Sequence, residues 1–236
     1  MGIIAILMVL VAPAFTTLKS AGDVTSAAYT IKGVLDTART YAMANNTYTW
    51  VGFYEENVSN LSSPNSDTPA IGRLVMSIVA SKDGTMMYTA PLTSVITLAP
   101  ANLIQVGKLA KIDNVHLITF PDATAAPPPD TFDARPLVGS SPRPDQTARV
   151  GDTTPSSPSL RLQYPVSGTA QYVFAKIIQF SPRGEGVVDN SNYTLTTVSE
   201  IGIHLTHGIT PEPSPVKNPV AIQFTGLGGN VKIYRR

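Results

Sequence analysis

The chain of 236 residues contains no cysteine. A disulfide framework, a thiolate nucleophile and a cysteine-ligated metal are therefore excluded. Charge is also scarce, because only 14% of the residues are Asp, Glu, Lys or Arg, against about a quarter in an average soluble domain. The formal net charge of +1 supplies no field that would attract nucleic acid, so no nucleic-acid partner is expected. Few charges together with many Thr, Ser, Asn and Pro residues favour a β-rich, extracytoplasmic chain.

The N-terminal segment lacks charge altogether, since no charged residue occurs between Gly2 and Leu18. These 17 residues reach the lower limit for a helix that spans a bilayer. A signal peptide would have positive charge before the apolar run, and none precedes it here. We therefore expect a single-pass helix in a bacterial inner membrane, with the rest of the chain in the periplasm or outside the cell. The residues expected to serve membrane insertion and assembly are Ile3, Ile4, Ile6, Leu7, Val9, Leu10, Val11, Pro13 and Phe15.

The apolar pattern continues beyond Leu18 at steps of three and four residues, as far as Ala42. This period predicts an amphipathic helix with one buried face, which Asn45-Asn46 would end. Pro13 should bend or loosen the helix, because proline removes a backbone donor. The whole helix would have roughly 40 residues and a length of about 60 Å. The residues predicted to pack it against the rest of the molecule are Val24, Ala28, Ile31, Leu35 and Ala38.

After Asn46 the apolar period changes to two, which predicts strands. The segment from Thr49 to Tyr54 is bulky on both faces, as in a strand that is covered on both sides. Further strands are predicted at 74–80, Lys176–Phe180, Ile201–Leu205, Val220–Phe224 and Val231–Tyr234. The last two flank a glycine-rich turn at 226–230, which predicts a hairpin, and Asp83-Gly84 predicts another turn. The predicted fold is α+β: a long N-terminal α-helix, first apolar and then amphipathic, packed on an antiparallel β-sheet head.

Residues 121–158 interrupt the strand pattern and hold nine of the 20 prolines. Their composition predicts an extended or disordered insertion that adds little to the core. A proline-rich ligand for a partner protein is the alternative. The predicted organisation is thus an N-terminal membrane and assembly helix at 1–45, followed by a β-rich extracytoplasmic head at 46–236 with a proline-rich insertion at about 121–158.

Several stretches resemble the type IV pilin and type II secretion pseudopilin superfamily. The run from Gly2 to Ala14 is similar to the sequence that follows the processing motif of prepilins. The stretch 37–42 is similar to the helix end of the minor pseudopilins called GspH or FimT, and 177–184 and 222–233 resemble that group's later strands and final hairpin. The proline-rich insertion resembles pilin-like proteins encoded in verrucomicrobial gene cassettes. The N-terminal likeness is the more specific, and the β likeness covers about a third of the chain.

The resemblance implies a structural subunit of a type IV pilus-like or type II secretion pseudopilus filament, which assembles through its apolar N-terminal helix. It further implies other pilin or pseudopilin subunits, a prepilin peptidase, the assembly machinery and the inner membrane as partners. The family's processing site, a small residue followed by an aromatic and a glutamate, does not occur in this sequence. We therefore expect the reading frame upstream of Met1 to encode a basic leader and that motif. An in-frame stop codon directly before Met1 would contradict this expectation.

No set of residues predicts catalysis, so we expect no enzyme and no cofactor. His204 and His207 are three residues apart on a predicted strand, which directs them to opposite faces and argues against zinc; His204 is expected to face solvent. Glu55-Glu56 is expected to be a solvated strand end. The stretch 189–192 could offer oxygen ligands to calcium, but an Asx turn is favoured. Trp50 is assigned to the core or sheet face, with a sugar-binding platform as the alternative.

The rival interpretation is a membrane-anchored β-domain binding module for a glycan or a protein, which does not polymerise. A binding module can sit on a flexible stalk, whereas a pilin needs a helix that runs without interruption into its head. Residues 18–45 contain no Gly/Ser linker, which favours the filament subunit.

Overall fold

The structure is a computed structural model, and it describes residues 2–59, 70–122, 132–138, 148–152, 159–211, 216 and 218–236. Helix α1 spans Gly2–Ala44, and its side chains are described from Asp23 onward. The helix ends where Asn45-Asn46 predicts a stop. Asn46 has a φ of 48°, a left-handed conformation that asparagine tolerates at a helix terminus. The backbone N–H and the side-chain amide of Asn45 both donate to the carbonyl of Tyr41, each at 3.0 Å.

Fourteen strands follow among the described residues. They are β1 (Thr49–Asn57), β2 (Gly72–Ser81), β3 (Ile96–Thr97), β4 (Leu103–Gln105), β5 (Ala110–Leu117), β6 (Arg149–Val150), β7 (Leu160–Tyr164), β8 (Tyr172–Phe174), β9 (Lys176–Phe180), β10 (Gly186–Val187), β11 (Val198–His207), β12 (Thr210–Pro211), β13 (Val220–Thr225) and β14 (Val231–Arg235). A short 3₁₀ helix at Pro100–Asn102 precedes β4. The strands predicted from alternation all occur in the structure, and β13 and β14 form the predicted hairpin.

Eleven of these strands form one large sheet with the main order β10-β9-β1-β2-β5-β11-β13-β14. Strands β4, β6 and β12 join it off this path. Every pair along the path is antiparallel, whereas β6 runs parallel to β11. The remaining strands form a small sheet with the order β3-β7-β8. Antiparallel pairing between sequence neighbours needs only short connections, which explains the β1–β2 and β13–β14 pairs.

One face of the large sheet packs against helix α1. This core contains Val51 and Phe53 of β1, Leu74 and Met76 of β2, and the alternate residues Ile201, Ile203 and Leu205 of β11. Successive side chains of a strand point to opposite faces, so the apolar alternation in these strands places one set of residues toward the helix. The core between this face and helix α1 is the larger of the two main cores in the described residues.

The opposite face of the large sheet is covered as well. Trp50 and Tyr54 of β1 pack there with Leu162 of β7 and Phe174 of β8. A Cβ added to Gly52 would lie 2.5 Å from Cγ of Phe174, so glycine permits the close approach of the small sheet. The prediction that β1 is covered on both sides is confirmed, because Trp50, Val51 and Phe53 are all at most 1% exposed.

The predicted fold class, a long helix packed on an antiparallel sheet, is wrong. The helical stretch that packs on the sheet, residues 23–44, is short, and the described chain is mainly β with an eleven-stranded sheet. The physical reason is the size of the buried side chains. Four of the seven buried apolar residues of the helix are alanines, Ala27, Ala28, Ala38 and Ala42, so the strands supply most of the apolar core.

The predicted single-pass anchor in the inner membrane is corrected too. Across the part of the chain that the structure describes, no helix combines the length and the apolar character that crossing a bilayer requires. The stretch of α1 with described side chains carries Asp23, Lys32, Asp36 and Arg39, and it buries its apolar face against protein.

Candidate functional site

The contact between helix α1 and the sheet brings the predicted packing residues together. Val24, Ala28, Ile31, Leu35 and Ala38 are each at most 1% exposed and belong to the helix-face core. Two hydrogen bonds join the same surfaces: Thr49 Oγ1 donates to the Ala38 carbonyl at 3.0 Å, and Arg235 Nη1 donates to Thr25 Oγ1 at 3.1 Å. The residues predicted for membrane insertion and assembly, from Ile3 to Phe15, lie outside the described side chains.

The outward side of the same helical stretch is mainly polar and uncharged. Its exposed residues include Ser26, Tyr29, Thr30, Gly33, Thr37 and Thr40, together with the charged Asp23 at its start. Lys32 and Asp36 pair with each other and are 33% and 44% exposed. The hydroxyl of Thr30 donates to the Ser26 carbonyl at 2.9 Å, and that of Thr37 donates to the Gly33 carbonyl at 2.7 Å. Because these two hydroxyls bond within the helix, most of the outward side consists of small side chains whose polar groups are satisfied.

The histidines are placed differently from the prediction. His204 was expected to face solvent, but it is only 2% exposed. The prediction was wrong because both faces of β11 are covered, whereas the apolar alternation in the sequence indicated only one buried face. His116 lies opposite it on β5, with the ring centroids 5.2 Å apart in an edge-on arrangement. Neither ring nitrogen of His204 has a hydrogen-bond partner in the described structure. Burial, aided by His116, lowers the pKa of His204 from 6.5 to about 4.

Glu55 and Glu56 do not form a solvated strand end either, since each is 5% exposed. Glu55 Oε1 lies 2.6 Å from Nδ1 of His116 and accepts the backbone N–H of Leu117 at 2.8 Å. Its other oxygen pairs with Lys176 Nζ at 3.3 Å. Buried carboxylates need such partners, because an unpaired charge is costly to remove from water. The prediction failed because the partners of Glu55 are 61 and 121 residues away in the sequence.

The neighbouring carboxylate, Glu56, is held by a second set of partners. Arg73 Nη1 pairs with Glu56 Oε1 at 3.0 Å, and the hydroxyl of Tyr172 donates to Glu56 Oε2 at 3.1 Å. Lys111 Nζ lies 3.6 Å from Glu56 Oε1. The two adjacent glutamates therefore each neutralise cations supplied by different strands.

A third buried carboxylate, Glu200 of β11, fastens part of the proline-rich insertion. Arg135 Nε pairs with Glu200 Oε2 at 2.9 Å, and both side chains are at most 2% exposed. Gln223 Nε2 donates to Glu200 Oε2 and to the Pro136 carbonyl, each at 2.9 Å. Phe132 is 6% exposed and packs against Phe120. The described stretch 132–138 is thus part of the packed head, contrary to the prediction that the insertion adds little to the core. The other parts of the insertion, residues 123–131, 139–147 and 153–158, lie outside the described structure.

The stretch 189–192 forms a turn. The Asn192 backbone N–H donates to Asp189 Oδ1 at 3.2 Å; this bond spans three residues, one more than in the Asx turn favoured from the sequence. Within the described residues, no group of three or more His, Asp or Glu side chains is arranged to hold a metal ion. Trp50 is fully buried and donates through Nε1 to Gln179 Oε1 at 3.0 Å, so its ring cannot serve as a sugar-binding platform.

The Glu55–His116 contact has the form of the acid–base half of a catalytic triad. A nucleophile would have to lie within hydrogen-bond reach of the imidazole. Among the described residues, no Ser or Thr hydroxyl is hydrogen-bonded to His116. The Glu55–His116 contact therefore belongs to the buried ion pairs of the sheet, and the outward side of α1 presents an exposed, mainly uncharged surface.

Comparisons of the chain with protein-family models, with curated proteins and with solved structures each gave no match. The pilin resemblance therefore depends on the residues quoted from the sequence. Any functional conclusion has to be drawn from the geometry of this chain and from its N-terminal sequence.

Proposed function

We propose that the chain is a structural subunit of a pilin-like filament, which assembles through contacts between the N-terminal segments of neighbouring copies. The observation that carries this proposal is the two-sided helical stretch 23–44. One side is buried in the head through six residues that are at most 1% exposed, and the other side is exposed and mainly uncharged, with Asp23 and the partly exposed Lys32–Asp36 pair as its charges. A helix that is fixed in its head on one side can transmit force to that head.

The sequence ahead of this stretch adds a second argument. Residues 2–18 carry no charge, and α1 extends from Gly2 without interruption to Ala44. Burial of apolar side chains between copies contributes about 25 cal/mol for each Å² removed from water. A run of this length in several copies would thus supply a large driving force for association. The proposed partners are other pilin-like subunits, together with a processing peptidase and an assembly machinery.

The experiment that tests the proposal inserts a photo-crosslinking amino acid at Leu10 in the full chain. Irradiation is expected to join copies into a ladder of dimers and higher species, and electron microscopy of the same sample should show filaments. The matched variant places the same amino acid at Val95, which is 44% exposed on the head and should give at most monomers and random dimers.

A charge inside the apolar run provides the decisive comparison. Val9→Asp should abolish the ladder and the filaments, because an unpaired buried carboxylate costs several kcal/mol. Val95→Asp, on the exposed part of the head, should leave both unchanged. A full chain that sediments as a monomer under all conditions, with no ladder from Leu10, would refute the filament and favour a binding module that does not polymerise.

A further inference from the structure

The large sheet has a narrow seam between β5 and β11. The seam pairs only three residues on each strand, with His204 opposite His116 at the centre and Ile203 and Leu205 on either side. By comparison, β1 and β2 pair over nine positions and β11 and β13 over six. Beyond the seam, β6 adds two parallel pairs to β11. Two well-paired groups of strands, one ending at β5 and the other beginning at β11, therefore meet through three paired positions and one adjoining backbone bond, in which the Ile118 N–H donates to the Gly202 carbonyl at 2.9 Å.

The centre of this seam is occupied by two imidazole rings. A neutral imidazole has one N–H donor and one acceptor, and in His204 both are buried with no partner among the described residues. Leaving such groups unpaired in the interior destabilises a fold, whereas an apolar ring of similar size would pack there without that cost. An unsatisfied buried group in a native structure therefore calls for an explanation.

The charged groups nearest the two rings are Glu55, Lys176 and Asp152, and each already has another partner. Glu55 of β1 contacts His116, and Lys176 of β9 already pairs with Glu55. Asp152, after β6, contributes a second negative charge near His204, and its Oδ1 accepts the backbone N–H of Thr119 at 3.1 Å. Each of these charged groups is therefore engaged with a partner of its own, and none of the described residues is hydrogen-bonded to His204.

We propose that His204, packed edge-on against His116, is an acid-sensitive switch that opens the seam between β5 and β11 when its buried ring becomes charged. A charged ring at this position has no hydrogen-bond acceptor among the described residues and lies 5.2 Å from the His116 ring, centroid to centroid, and a charge buried in this way is costly until water reaches it. Helix α1 contacts β1 and β2 on one side of the seam and β11 and β13 on the other, so it holds the two groups of strands together while the seam opens. The response is local and operates whether or not the chain polymerises.

The pH at which the switch acts follows from the surroundings of the second ring. Burial and the neighbouring His116 lower the pKa of His204 to about 4. The seam is therefore closed at neutral pH and opens in acid as the pH approaches that value. Histidine is suited to this role, because its charge changes within a range that moderate shifts in environment can move.

Amide hydrogen exchange of the full chain measures the opening directly. Protection factors for the seam (residues 110–118 and 198–207) should fall at least tenfold between pH 7.5 and pH 4.5. The factors for β1 and for residues 74–81 of β2 should stay within about twofold. His204→Phe should keep the seam protected at pH 4.5, and His204→Gln provides the same test if the larger ring does not fold. His207→Gln, at the exposed end of the same strand, should behave as the wild type does.

Three results would overturn the switch. The first is full protection of the seam in the wild-type chain at pH 4.5. The second is an equal loss of protection in His204→Gln and in the wild-type chain, since the titrating ring would then have no part in the opening. The third is loss of protection across β1 and β2 together with the seam, because that pattern is acid unfolding of the whole head.

Discussion

Arg135 offers the sharpest test of how the proline-rich insertion is held. Its guanidinium pairs with Glu200 at 2.9 Å in a site where both side chains are at most 2% exposed. It also donates to the Phe132 carbonyl at 3.0 Å, and it lies 4.2 Å from the centroid of the Phe132 ring. Arg135→Ala removes all of these contacts and leaves the carboxylate of Glu200 buried with a poorer counter-charge.

Breaking a buried ion pair by removing one partner costs about 3–5 kcal/mol. Arg149 Nε lies 4.0 Å from Glu200 Oε1 and offsets part of that cost, so we expect Arg135→Ala to lower the free energy of unfolding by about 2–4 kcal/mol. Urea denaturation of the full chain at pH 7, followed by tryptophan fluorescence from the buried Trp50, gives both the free energy and its slope with denaturant.

The matched control is Arg183→Ala. Arg183 lies 3.9 Å from Glu185, but its side chain is 86% exposed, and exposed pairs contribute only about 0–1 kcal/mol. The combined variant Arg135→Met with Glu200→Gln should recover part of the loss, because no unpaired charge remains. If Arg135→Ala costs no more than Arg183→Ala, the stretch 132–138 is not held by this pair and the reasoning fails.

Three further predictions use the same denaturation assay. Leu35→Ala in the contact between helix and sheet should lower the free energy of unfolding by about 2–5 kcal/mol, and a loss below about 1 kcal/mol would show that the helix is not packed as described. Gly33→Ala should raise stability by up to about 1 kcal/mol, since nothing lies within 4 Å of the added Cβ, whereas Gly52→Ala should cost about 1–3 kcal/mol through its clash with Phe174; effects of equal sign would contradict both assignments. The pKa of His204 is about 4 in the folded chain, below the ordinary 6.5, so the free energy of unfolding should be unaffected by this ring above pH 6.5 and should fall as the pH is lowered toward 4. The expected decrease is about 1–2 kcal/mol after allowance for solvent screening. His204→Gln should abolish this decrease.

The elements that the sequence predicts well are those defined by local periodicity. The strand Lys176–Phe180 has the same bounds in the structure as in the prediction, and the hairpin around 226–230 is set by its glycines. The end of α1 follows from Asn45-Asn46. In each case a few neighbouring residues determine the backbone, so no knowledge of distant contacts is needed.

The small sheet could not be predicted with the same means. Strands β3 and β8 have two and three residues, too few for a period of two to stand out. Tyr172 and Phe174 read as a short aromatic stretch, and only their contact with Tyr54 of β1 makes them part of a second layer. The extra layer helps to bury Glu56 of β1, because Tyr172 of β8 donates to its carboxylate.

The proline-rich insertion shows where composition misleads. Its prolines disfavour helix and strand, but they do not exclude packing. Within the described stretch, Val138 is 1% exposed and Arg135 is 5% exposed. Arg135 pairs with Glu200 of β11, 65 residues further along the chain, and the Pro136 carbonyl accepts from Gln223 of β13, 87 residues further along. No local pattern encodes such distances.

Strand β11 combines both kinds of residue and shows why they differ. Its apolar residues Ile201, Ile203 and Leu205 need only a hydrophobic surface, so alternation alone locates them. Its polar residues Glu200 and His204 lie on the opposite side and are equally buried, but their surroundings come from distant segments. Glu200 receives two arginines, whereas His204 receives no hydrogen bond from the described residues. Because burial lowers the pKa of His204 to about 4, the stability of this strand depends on the protonation of that ring, and regulation by pH can enter the fold there.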